Sequence, residues 1–168
     1  MPAIRGERPD DADAIHEILV AAFGGEAEAR LVDRLRASGK IACALVAEEK
    51  GRVLGYVVFS TIAAGENQAP AMALAPIAVM PAFQRLGIGS ALASAGLERL
   101  RQDRVQRALV VGDPAYYARF GFVPASRFGL KCPFLAPEDA FMAIELQPGA
   151  FNGVSGMVRY GHEFDDLE

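Results

Sequence analysis

Apolar residues recur along this chain with two periods, near 3.6 and near 2, and the switches between them predict its elements. AIRGER, Ala3 to Arg8, is short and partly alternating, which predicts a first strand. Pro9 ends it, and Asp10 or Asp11 can cap a helix. Ile15, Ile18, Leu19, Ala22 and Phe23 then fall at helical spacing until Gly24-Gly25. A second helix fits Glu26 to Ser38, with Ala27, Leu31 and Leu35 on one face and Gly39 as its stop.

From Cys43 the pattern turns to strands. CALVAEE, Cys43 to Glu49, leads into Lys50-Gly51, a hairpin turn. Val53 to Ala63 is β-rich and mostly apolar, as a central strand is. A polar loop, Gly65 to Pro70, precedes a fourth apolar strand, Ala71 to Met80, with Pro76 inside it. A glycine loop opens a helix from about Gly89 to Arg104, whose apolar face holds Leu92, Ala95, Gly96, Leu97 and Leu100. Arg107 to Val111 is a buried fifth strand. GDPAYYARFGF, Gly112 to Phe122, reads as a capped short helix turning into a strand, and Ala140 to Leu146 as a further strand. Gly156 to Phe164 is a candidate for one more, and the closing EFDDLE reads as a solvated, frayed tail.

The order β, α, α, three strands, then βαβ units describes an α+β domain built on a mixed sheet. The meander favours antiparallel pairing early, and the crossover helix after Met80 favours local parallel pairing. With 168 residues and no internal repeat, the expectation is one domain over residues 1–168. Residues 147–168 form a C-terminal extension whose structure the pattern leaves open.

Composition narrows the function classes. No apolar run approaches the roughly 20 residues that span a bilayer, and MPAIRGERPDDADAI has no apolar stretch before a cleavage site. Cys43 and Cys132 lack metal-ligand spacing, so neither a metal site nor a disulfide is expected. Together these describe a reduced, cytoplasmic protein without a membrane partner. The net charge of −4 gives no general attraction to nucleic acid. Arg99, Arg101, Arg104 and Arg107 are read as cations suited to a helix C-terminus.

The chemistry concentrates in FQRLGIGSAL, Phe83 to Leu92. A helix N-terminus presents unpaired backbone N–H groups and a partial positive charge, which suit an anion that can come close. Gly87 and Gly89 remove obstructing side chains and permit positive φ, and Arg85 can add a charge-assisted contact. The third glycine of a dinucleotide fingerprint is missing and no Gly-Lys-Ser/Thr follows, so neither familiar nucleotide loop fits. Pro76 lies in the strand just before this loop. A strand broken there can splay from its neighbour, open a cleft and free the backbone groups of Ile77 to Val79.

The run PIAVMPAFQRLGIGSAL resembles the acetyl-CoA-binding motif of the GNAT superfamily of N-acyltransferases, Q/R-x-x-G-x-G/A, here Gln84, Gly87 and Gly89. GDPAYYARFGF resembles that family's later motif, an aromatic-bearing short helix ending in Gly-Phe. The element order from about Ala3 to Leu146 is similar to the family fold, a central mixed sheet of six to seven strands flanked by helices and splayed at the acetyl-CoA cleft. The resemblance implies acetyl-CoA as co-substrate and transfer of its acetyl group to a primary amine, of a small molecule or a peptide. It implies that Gln84 and the loop of Arg85, Leu86, Gly87, Ile88, Gly89 and Ser90 hold the pyrophosphate. Ile77, Ala78 and Val79 would hold the pantetheine arm. The family tyrosine falls at Tyr117, four residues before Gly121.

A phenol of ordinary pKa about 10 can protonate a departing thiolate without being charged at rest. That chemistry supports Tyr117, with Tyr116 as the alternative that packs. Many family members carry a carboxylate on the fourth strand, and Ala71 to Val79 contains none. The amine proton then passes to water or to a loop carboxylate: Glu26 and Glu28, near the family's acceptor region, or Glu66. His16 and His162 are candidates in principle only. A CoA-binding sensor without turnover is the competing reading. Strand edges late in the chain are compatible with a homodimer.

Overall fold

The computed structural model describes residues 1–167. Its elements are β1 (Ala3–Gly6), α1 (Ala12–Phe23), α2 (Ala27–Ala37), β2 (Ile41–Glu49), β3 (Arg52–Ala64), β4 (Ala69–Val79), α3 (Ile88–Gln102) and β5 (Arg107–Val111). Then come α4 (Pro114–Ala118), β6 (Val123–Pro124), β7 (Leu130–Lys131), β8 (Phe141–Glu145) and β9 (Gly156–Met157). Seven strands form one mixed sheet in the order β1-β2-β3-β4-β5-β8-β6, and β7 pairs with β9 in a second, two-stranded sheet. The chain packs as two compact units: Met1–Ser60, Ala75–Arg99 and Leu167, and Thr61–Leu74 with Leu100–Asp166. No helix among the described residues is long and apolar enough to cross a membrane.

The first unit is built on the β1-β2-β3 antiparallel meander. Lys50 and Gly51 form the two-residue turn between β2 and β3, both with positive φ (51° and 77°), and Glu49 and Arg52 pair across it. Helix α3 packs on β3 through a missing side chain: a Cβ on Gly96 would lie 2.1 Å from Cε1 of Phe59. Ile88, Leu92, Ala93 and Leu97 of that helix are buried. The buried Tyr56 hydroxyl donates to Glu7 Oε1 at 2.9 Å, and Arg36 of α2 donates to both Glu7 oxygens at 2.7 Å. The predicted cap of α1 takes another form. Asp11 accepts from the Arg8 backbone N–H and from the Arg5 guanidinium, so its carboxylate ties β1 to the helix entrance and makes no side-chain cap on α1.

The second unit centres on β5, antiparallel to β8 from Arg107↔Glu145 to Val111↔Phe141. Its parallel ladder with β4 consists of Met72↔Ala108 and Ala73↔Leu109. Pro76 lies three residues beyond that ladder and follows a cis peptide bond. Strand β4 nonetheless runs unbroken through it to Val79, so the expected break is absent and the short ladder takes its place.

The C-terminal segment is corrected most. Phe151 N–H donates to Glu145 Oε2 at 2.9 Å, and Arg107 Nε donates to the Ala150 carbonyl at 2.9 Å. The Phe151 ring stacks on Phe128, 4.4 Å between centroids. Only Gly156–Met157 of the proposed last strand is a strand, paired parallel with β7, which the periodicity did not predict. Arg159 and Ala63 also exchange backbone hydrogen bonds. His162–Leu167 is a 3-10 helix in which Glu163 and Phe164 are buried, so the acidic end is packed rather than frayed. The periodicity missed this because Phe164 and Leu167 are the two apolar residues in a run otherwise made of acids.

Candidate active site

Three pieces carry the candidate chemistry. The first is the loop from Gln84 into α3. Pro81–Phe83 forms a single 3-10 turn, after which Arg85 and Gly87 both adopt positive φ (64° and 90°). The left-handed region costs a side chain roughly 1–2 kcal/mol, and Gly87 is free of that cost while Arg85 bears it. Gln84 through Gly87 are exposed, whereas Ile88 is buried and roots the helix. A Cβ on Gly87 would meet only the Met1 Cε, at 3.5 Å. The first backbone bond of the helix runs from Ala91 N–H to the Gly87 carbonyl, so the amides of Ile88 and Gly89 come before it. This is the geometry that accepts an anion at a helix start. Gly89 lies within the first turn of α3, so it is not there for a left-handed turn.

The second piece is the end of β4. Ala78 is buried, and Ile77 and Val79 are half-buried. The Gln84 side-chain amide donates to the Val79 carbonyl at 3.0 Å, and Met80 N–H donates to the Leu54 carbonyl at 2.9 Å. Gln84 therefore straps the loop to the strand, a use that its position in the motif did not reveal.

The third piece is α4. Asp113 caps it, its Oδ1 accepting from Ala115 N–H at 3.0 Å, and Pro114 supplies a preset φ at the first helical position. Tyr116 is the tyrosine expected to pack, but Tyr117 is the more buried of the two, with 8% of its surface exposed. Its ring meets Tyr116 edge-on at 5.0 Å and Phe122 at 5.8 Å. Burial, then the neighbouring Tyr116 and Asp113, pushes its pKa up to about 12, so the phenol holds its proton at neutral pH. Tyr116 is half-buried, with the Arg119 guanidinium 4.4 Å above its ring. Sequence reasoning passed over Gly112, because what crowds it is a ring five residues on. A Cβ there would lie 2.4 Å from Cε2 of Tyr117.

The remaining candidates lie on other elements. Glu26 precedes α2 and pairs with His16 Nε2 at 3.1 Å, both about half exposed, and Glu28 sits in the first turn of α2. Glu66 is in the β3–β4 turn, its backbone N–H bonded to the Ser155 carbonyl, and His162 opens the last 3-10 helix. Among the described residues no group of three or more His, Cys, Asp or Glu is placed to hold a metal ion.

Comparison with known proteins places the chain in a family. The family model described as Acetyltransferase (GNAT) family matches residues 12–122. The uncharacterized N-acetyltransferase YhbS of Escherichia coli K12 is 37% identical over 163 residues, covering 96% of this chain and 98% of that protein. The crystal structure of Escherichia coli YhbS in complex with CoA superposes with a TM-score of 0.93 at 35% identity, covering 99% of this chain and 93% of that one. A GNAT family acetyltransferase from Brucella melitensis, solved with acetyl-CoA, gives a TM-score of 0.82 at 34% identity, covering 98% and 99%. With the family model spanning most of the chain and relatives aligned along nearly all of it, this protein belongs to the GNAT family and is an N-acetyltransferase.

Proposed function

We propose that the protein transfers the acetyl group of acetyl-CoA to a primary amine, on a small molecule or a peptide, by direct attack in a ternary complex. The observation that carries this reading is the loop at the start of α3, where Arg85 and Gly87 take positive φ and expose backbone before the helix amides. The CoA and acetyl-CoA bound in the two related crystal structures support the same ligand here. Acetyl-CoA supplies an activated acetyl group as a thioester. The amides of Arg85, Leu86, Gly87, Ile88, Gly89 and Ser90 hold the pyrophosphate, and Gln84 serves by keeping the loop against Val79. Backbone groups of Ile77, Ala78 and Val79 hold the pantetheine arm.

The amine nitrogen bonds to the thioester carbonyl carbon, and the C–S bond breaks with its electron pair going to sulfur. Tyr117 gives its phenolic proton to that sulfur and is reprotonated from solvent. The nitrogen loses its extra proton to water, since β4 carries no carboxylate. Glu26 and Glu28 place negative charge at the start of α2, where they would draw in a cationic amine, which gives a first proton to water before its nitrogen attacks. The test is a screen of primary amines and amine-bearing peptides with acetyl-CoA, read by free thiol release and by the mass of the acetylated product. Release matched by amide formation supports transfer. CoA binding with no amide from any amine would favour a CoA sensor instead.

A further inference from the structure

The geometry points to Gly112 as a positioning residue for the reaction: its missing side chain is the space that sets where the Tyr117 ring, and hence its hydroxyl, stands. The inference rests on Tyr117 being the acid. A Cβ built on Gly112 would lie 2.4 Å from Cε2, 3.1 Å from Cδ2 and 3.4 Å from Cζ of Tyr117, where ordinary contact is 3.4–4 Å. A side chain there would therefore displace the ring by about 1 Å, a shift that can cost about 10²-fold in rate when it moves a reacting group.

Neither partner can yield easily. Gly112 follows β5, whose pairing with β8 runs to Val111↔Phe141, and its own N–H donates to the Ala140 carbonyl at 2.9 Å. The next residue is the Asp113 cap of α4, and Tyr117 N–H donates to the Asp113 carbonyl at 3.1 Å. The ring is held from its other sides by Tyr116, Phe120 and Phe122, at centroid distances of 5.0, 6.3 and 5.8 Å. The end of β5 thus acts as a stop against which the phenol is set, and glycine is the one residue that leaves room for it.

The experiment is a cycle of Gly112→Ala, Tyr117→Phe and the double variant, with kcat, the acetyl-CoA KM and the CoA Kd of each. Gly112→Ala is expected to lower kcat about 10²-fold with KM and Kd little changed. In the Tyr117→Phe background it should cost nothing further, because the hydroxyl it would misplace is gone. An equal loss in both backgrounds, or a Gly112→Ala variant as fast as the parent beside a slow Tyr117→Phe, overturns the positioning role alone. A Tyr117→Phe variant as fast as the parent overturns the acid and, with it, this inference. If Gly112→Ala folds poorly, Tyr117→Ala supplies the control. With no ring to meet, the added Cβ should no longer lower the melting temperature, and an undiminished loss there would show that the crowding lies elsewhere.

Discussion

Gly87 and Gly89 stand one residue apart and do different work. Gly87 has φ of 90°, where any side chain is strained, while Gly89 lies in the first helical turn of α3. Gly87→Ala should therefore lower the melting temperature of the free protein, by about 1–2 kcal/mol of strain. Gly89→Val should leave that temperature nearly unchanged, because a β-branched residue costs a helix only a few tenths of a kcal/mol relative to its neighbours in rank and glycine itself is a poor helix former. It should still raise the CoA Kd by about tenfold or more, equal to about 1.4 kcal/mol, by filling the space a phosphate oxygen needs. Calorimetric titration and thermal melts of both variants check this, and parental CoA affinity in Gly89→Val would place the anion elsewhere. The motif showed both glycines in the sequence but not this division of labour, which depends on where the first turn begins. The same limit hid Gly112, whose constraint comes from a ring five residues on.

At the scale of elements, periodicity located what is local. Helices α1, α2 and α3, the β2–β3 hairpin and β5 fall where hydrophobic spacing and glycine stops put them. What it missed depends on partners distant in the chain. The two-residue strands β7 and β9 exist only because each supplies the other's backbone bonds, and no alternation can build up over two residues. Asp11 is diverted by nearer partners: a cap by position, it is claimed by Arg5 and by the Arg8 N–H. The Arg5 hydrogen bonds hold its carboxyl below the usual range despite the opposing effect of burial. A folded pKa below the unfolded value of about 3.9 gives stability that is present above that pH. It is lost as pH falls through the folded pKa. Asp11→Asn should thus cost about 1.5–3 kcal/mol at neutral pH, and the gap to the parent should narrow below pH about 4. Urea unfolding of both proteins at pH 7 and pH 3 measures it, and a pH-independent gap would mean that Asn disturbs packing rather than removing a charge.

For the whole molecule, the family reading reached further than the pattern of apolar residues could. The family model ends at residue 122, yet the relatives align along nearly the whole chain. The C-terminal segment is correspondingly built into its unit through Arg107, Glu145 and Phe151. The acceptor amine is not written in any motif: Glu26 and Glu28, the residues proposed to hold it, have no fixed spacing to the glycine loop. The central claim is that this N-acetyltransferase expels CoA with Tyr117 as the proton donor, and it is tested most directly by the turnover of Tyr117→Phe. The substitution keeps a ring that packs at 5.0 Å from Tyr116 and 5.8 Å from Phe122 and removes only the hydroxyl. With acetyl-CoA and an amine the parent accepts, kcat should fall by about 10²–10⁴-fold while the CoA Kd stays near the parental value, the signature of an interaction made only in the transition state. A kcat equal to the parent's, or a loss confined to Tyr116→Phe, would contradict the account.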